Sequence, residues 1–121
     1  MIPPYYQDKY ATIYNARCED VLPFLHKFDL LLTDPPYGIG ENNKQNATRG
    51  LLALPTNFGD YSWDESRPTI DLINQLRSCA DWQIIFGFNF FDLPSTSCYL
   101  VWDKDNGAND FADCELAWTN L

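Results

Sequence analysis

The stretch Phe28-Asp29-Leu30-Leu31-Leu32-Thr33-Asp34-Pro35-Pro36-Tyr37-Gly38 decides how this chain is read. Its first six residues form a nearly continuous apolar run of strand length, and the next five are turn formers. A strand that is apolar on both faces is typical of the middle of a parallel sheet. Pro35 and Pro36 fix φ and keep the preceding residue extended, so Asp34 is held on a stiff backbone. Neither proline has an N–H, so the backbone there offers only carbonyl acceptors, to which Asp34 adds a carboxylate. Tyr37 supplies a flat ring, and Gly38 permits a sharp exit. In open α/β sheets ligands bind beyond the carboxyl ends of the strands, which makes this turn the candidate site. The competing reading is a plain Asp-Pro-Pro turn. The apolar strand in front of it favours the site.

Working outward, residues 1–10 are polar and aromatic with two prolines and are expected to be a loose lead-in. Ala11-Thr12-Ile13-Tyr14 reads as a short strand. From Cys18 to Lys27, Val21, Leu22 and Leu25, with Phe28 just beyond, recur at helical spacing. Pro23 breaks the pattern and limits it to a short helix. Downstream, Glu41-Asn42-Asn43-Lys44-Gln45-Asn46 belongs to a polar segment without periodicity, residues 39–65, of a length that is often functional. A helical pattern resumes at Pro68 and continues through Ile70, Ile73 and Leu76 to Cys79. Three further strands are expected at Gln83–Gly87, Cys98–Asp103 and Cys114–Thr119. Strands alternating with helices indicate an α/β sheet.

Length and composition set outer bounds. The 121 residues fit one small domain, 1–121. A hydrophobic content of 45% with 16% aromatic residues excludes a disordered chain. No apolar run approaches the roughly 20 residues that span a bilayer. Met1-Ile2-Pro3-Pro4-Tyr5-Tyr6 lacks the basic-then-apolar order of a signal peptide, so a cytoplasmic protein without membrane association is expected. Cys18, Cys79, Cys98 and Cys114 form no Cys-x-x-Cys pair and the single histidine is His26, so no metal site is expected. The thiols should be buried and reduced. A formal net charge of −9 argues against a broad basic surface for nucleic acid.

The acceptor-rich turn suits a particular chemistry. The exocyclic amino group of a nucleobase is a poor nucleophile because its lone pair is delocalised into the ring. Two acceptors that bind its two hydrogens favour a more pyramidal nitrogen, whose lone pair can attack a methyl sulfonium in line. Such catalysis relies on positioning and electrostatic preorganisation. The base must first leave the duplex, and an aromatic ring such as Tyr37 is the usual surface on which it stacks.

Asp34-Pro35-Pro36-Tyr37 after an apolar strand resembles the catalytic motif of the site-specific DNA methyltransferases that modify amino groups. The Asp form is commonest among the adenine-N6 enzymes, whereas cytosine-N4 enzymes more often carry Ser. The resemblance covers nearly the whole chain. Ile13-Tyr14-Asn15-Ala16-Arg17-Cys18-Glu19-Asp20-Val21-Leu22 looks like the family's lead segment, with Ala16-Arg17 where the family often has Gly-Asp. Ile85-Phe86-Gly87-Phe88-Asn89-Phe90-Phe91 and Leu100-Val101-Trp102-Asp103-Lys104 look like the next two strand ends. The segment from Asn109 to Thr119 resembles the one that follows.

This resemblance implies a Rossmann-like methyltransferase α/β fold, here incomplete, and transfer of a methyl group from S-adenosyl-L-methionine to adenine N6 of a flipped base in DNA. Asp34, Pro35, Pro36 and Tyr37 would be the catalytic segment. The family's glycine-rich loop of the form Asp-Pro-Phe-x-Gly-Ser-Gly does not occur, and Gly38-Ile39-Gly40 is too short to replace it. The chain is therefore expected to be the catalytic half of a C-terminally truncated domain. Alone it should be inactive, and most of the cofactor site and the target-recognition region should lie elsewhere. Rival readings are cytosine-N4 methylation and a non-catalytic DNA-binding or scaffold subunit of the same fold.

Other residues carry weaker signals. Asn89 could line the base pocket or be a turn asparagine. Lys104 could reach a DNA phosphate or pair with Asp103 or Asp105. Lys44 and Arg49 could touch DNA, although a surface loop without that task is the simpler expectation. Trp63, Trp82, Trp102 and Trp118 are expected as core or interface rings. Glu115 is expected to make a structural hydrogen bond.

Overall fold

The computed structural model describes residues 1–38, 66–107 and 112–121. Lys44, Arg49, Trp63, the Gly38-Ile39-Gly40 segment beyond Gly38, and Asn109-Asp110-Phe111 lie outside the described residues. In chain order the described elements are β1 (Tyr6–Gln7), β2 (Thr12–Ile13), α1 (Cys18–Val21), β3 (Phe28–Thr33), α2 (Ile70–Ser78), β4 (Ala80–Phe86), β5 (Cys98–Asp103) and β6 (Cys114–Thr119). Short 3-10 turns occupy Leu22–Phe24 and Phe88–Phe90.

The lead-in is more ordered than the sequence suggested. β1 pairs antiparallel with β2, and Asp8 closes the turn between them. One carboxylate oxygen of Asp8 accepts from the backbone N–H groups of Tyr10 (2.7 Å) and Ala11 (2.8 Å). The other accepts from the Tyr6 hydroxyl at 2.9 Å. This is the local side-chain bonding that suits Asp to turns. The Tyr10 amide, then the Ala11 amide and the Tyr6 hydroxyl, hold the Asp8 carboxyl below its usual range. α1 is four residues long and passes directly into the 3-10 turn that contains Pro23.

Strands β3, β4, β6 and β5 form one mixed sheet in that spatial order. β3 and β4 are parallel, while β6 runs antiparallel to both β4 and β5. β5 therefore shares the direction of β3 and β4. The expected α/β class holds in this coarse form, as a mixed sheet. The expected central position of β3 does not, because β3 is an edge strand of the described sheet. Leu30 and Leu32 are 48% and 63% exposed. The pairing register places them on one face with Trp82 and, further across, Leu100 and Trp102, which are also exposed. Trp82 and Trp102 are thus not core rings.

On the opposite face α2 covers Ile85 and Trp118, whereas Tyr99 and Val101 of β5 on that face stay exposed. Thr69 caps this helix by accepting from the Leu72 N–H at 3.2 Å. Ile73 and Leu76 are buried beneath it, together with Ile85 and Trp118 of the sheet. Gln83 is a buried polar residue whose amide donates to the Arg77 and Ala80 carbonyls at 2.7 and 3.1 Å. Arg77 returns a bond from Nε to the Gln83 Oε1 (3.3 Å) and lies 5.2 Å over the Trp118 ring. The Trp118 indole donates to the Pro94 carbonyl at 2.7 Å, which pins the β4–β5 connection to this face.

The four cysteines are free thiols, as expected, but they are not fully buried: Cys18 is exposed and the others are half-buried. Burial pushes the Cys79 thiol above its usual range. Among the described residues no helix is long and apolar enough to cross a membrane.

Candidate active site at the strand ends

Because β3 and β4 are parallel neighbours, the turns that follow them leave the sheet at the same edge. Thr33 pairs with Ile85, so Asp34 starts its turn one strand away from Gly87. Pro35 is buried and Pro36 half-buried, which anchors the turn, while Asp34 is exposed. The Tyr37 hydroxyl donates to Asp34 Oδ1. The Tyr37 ring stacks on Phe90, with centroids 4.8 Å apart and planes at 15°. Phe91 meets the same ring edge-on at 6.2 Å.

Two glycines make this packing possible. Gly87 has φ of 74° and ψ of 28°, the left-handed region. A Cβ there would overlap Tyr37 Cε1 and lie 2.6 Å from Cδ1. Gly38 has φ of 70°, and a Cβ there would lie 2.9 Å from Arg67 Cγ and 3.0 Å from the Arg67 backbone nitrogen. In this way a tyrosine ring is seated against one strand end and an arginine chain passes close to the other.

Arg67 is the site residue that the sequence reading missed. Its Nε donates to the Tyr37 carbonyl at 2.9 Å and its Nη1 to the Phe90 carbonyl at 3.0 Å. The guanidinium also lies 5.4 Å from the Phe90 ring centroid. One signal was available. A cation just before the start of α2 opposes the helix dipole, which favours acidic groups there, so Arg67 must be held by something else.

The expected residues are only partly brought together. Asp34, Pro35, Pro36 and Tyr37 form one unit with Gly87, Phe90 and Arg67. Asn89 is exposed in the adjacent turn, between Phe88, which stacks on Tyr99 at 4.6 Å, and Phe90. Lys104 is elsewhere. β5 is three strand spacings from β3, roughly 14 Å. Lys104 forms an ion pair with Glu115 of β6 and lies 5.5 Å from the Trp102 ring centroid. Its partner is thus neither Asp103 nor Asp105, and the structural bond expected of Glu115 is this ion pair. The last described link from the β4 end to β6 is the Gly87 N–H to the Leu116 carbonyl, at 2.9 Å. β5 and β6 pair further, to Asp103 and Cys114, so their hairpin projects beyond the end of β4.

A cleft of about 470 Å³ between Leu22, Pro23, His26, Gln75 and Cys79 opens near the amino ends of β3 and β4. It lies across the sheet from Asp34. Among the described residues no cluster of three or more His, Cys, Asp or Glu side chains could hold a metal ion. Comparisons with protein-family models, with curated proteins and with solved structures find no match.

Proposed function

We propose that this chain carries the base-activating part of a Rossmann-like, S-adenosyl-L-methionine-dependent DNA methyltransferase that acts on adenine N6. The observation that carries the reading is an exposed carboxylate, Asp34, on an N–H-free turn at the carboxyl end of a strand, with an aromatic ring fixed beside it.

In this reading Asp34 and the Pro35 carbonyl accept the two N–H groups of the adenine amino group. Both acceptors are fixed before the base arrives, Asp34 by the two prolines and Pro35 by its burial, so little reorganisation is needed during reaction. Tyr37 supplies the stacking surface for the flipped base. Phe90 already occupies one face of that ring, and the Tyr37 hydroxyl already sits on Asp34 Oδ1. Entry of the base therefore displaces or shares the hydroxyl contact. The described residues fit this base-binding half. They contain no glycine-rich turn for the methyl donor, and the cleft lies at the other edge, so no residue is assigned to S-adenosyl-L-methionine. When bound, that group supplies an electrophilic methyl; the described residues act on the acceptor nitrogen. With a net charge of −9, the DNA backbone is held by few cations, on surfaces other than a broad basic face.

The test is methyl transfer by the protein expressed at its full gene length. DNA treated with it and S-adenosyl-L-methionine is digested to nucleosides and analysed by mass spectrometry. N6-methyladenine is expected from the wild type, and none from Asp34→Ala at an unchanged unfolding midpoint. Methylation that persists in Asp34→Ala would remove the assignment. N4-methylcytosine in its place would establish the cytosine rival, and DNA binding without methylation would establish the non-catalytic one.

A further inference from the structure

We infer that Arg67 is a positioning residue that fixes the Asp34 turn against the β4 strand end. The inference rests on the reading of Asp34 as the base-activating group. The two turns belong to different strands, and the backbone alone leaves their separation beyond the sheet unset. Arg67 bonds both at once, through Nε to Tyr37 and Nη1 to Phe90. The acceptors are the carbonyls of the two residues whose rings stack on each other. A planar guanidinium suits this task because its donors are held in a rigid fork; a lysine ammonium is a single point at the end of a flexible stem. Gly38 carries no side chain where the Arg67 stem passes, and Gly87 none where the Tyr37 ring sits. Five residues thus lock one geometry: the stack sets the ring plane, and the bridge sets the height of the turn. Since Tyr37 also bonds Asp34, a shift of the turn moves the carboxylate with it.

Among the described residues Arg67 reaches only backbone and a ring, so its effect on reaction is indirect. A displacement of about 1 Å at a reacting group can cost on the order of a hundredfold in rate. The test compares wild type with Arg67→Met and Arg67→Lys by proton NMR and by turnover. In wild type, cross-relaxation between the Tyr37 and Phe90 rings is expected. Arg67→Met should lose it, and turnover should fall about a hundredfold while KM for S-adenosyl-L-methionine is unchanged. Arg67→Lys should fall between the two. If Arg67→Met does not fold, Arg67→Lys carries the same comparison, since it keeps the charge but cannot span both carbonyls. Ring contacts and turnover unchanged from wild type would overturn the inference, as would a loss of turnover that tracks only the unfolded fraction. If the ring contacts are lost in the variant but the wild type transfers no methyl group, the bridge stands and the proposed function falls.

Discussion

A side chain at position 87 would have to occupy space that the Tyr37 ring already fills, in a backbone conformation that L-residues avoid. Gly107 offers an internal control: its φ is 65°, yet among the described residues nothing lies within 4 Å of where a Cβ would be. Gly107→Ala should therefore cost only the left-handed penalty, about 1 kcal/mol. Gly87→Ala adds the overlap with a packed ring and should cost about 2–4 kcal/mol. Urea unfolding of both variants checks this. Placing Gly87→Ala in a Tyr37→Ala background should shrink its cost to that of Gly107→Ala, because the overlap is then gone. Equal costs at both glycines would show that the ring is not seated where the structure has it. At this scale Asp34, Pro35 and Pro36 were legible because each has a local backbone consequence. Arg67 was not, because its partners lie 30 and 23 residues away in the chain and are main-chain carbonyls, which leave no mark on the sequence.

Elements were legible where periodicity and length agreed. β3, β5 and β6 stand at the residues expected from their apolar runs, and α2 stops at Ser78, one residue short of Cys79. The direction of β6 was not read, although a signal existed. Ten residues separate Asp103 from Cys114, fewer than the dozen or more a parallel crossover needs, so the pair should have been read as antiparallel. Of the β1–β2 hairpin, β2 was read within Ala11–Tyr14, but its partner β1 was not, because two residues are too short for any period to show. What holds the hairpin is the Asp8 turn, and that makes it sensitive to acid. The carboxyl is depressed in the folded chain, so its contribution is present above the ordinary carboxylate range and is lost as pH falls through the depressed value. The amide proton shifts of Tyr10 and Ala11 should titrate together, with a midpoint below that of an ordinary aspartate. A shared midpoint at or above the ordinary value would contradict the turn geometry.

Over the whole molecule, the two faces of the sheet are unequal, and this explains why the strongest sequence signal was half right. An apolar run such as Phe28–Thr33 says that a strand forms; it does not say how many faces are covered. α2 and the pinned β4–β5 connection cover Ile85 and Trp118 on one face, with Tyr99 and Val101 at its β5 side left exposed, while on the other Leu30, Leu32 and Trp82 face outward with Leu100 and Trp102. Apolar burial stabilises in proportion to the area removed from water, so equivalent truncations on the two faces should differ sharply. Ile85 is fully buried, and Ile85→Ala should cost about 2–5 kcal/mol. Leu32 is 63% exposed, and Leu32→Ala should cost less than about 1 kcal/mol. Chemical denaturation of the two variants at the same pH and salt measures the difference directly. A hydrophobic dye should also bind the native protein at the open face, less so in Leu32→Lys and unchanged in Ile85→Val. Similar losses from Ile85→Ala and Leu32→Ala, with no dye bound, would mean that the outward face of β3 is packed in solution and that β3 is the central strand its sequence suggested.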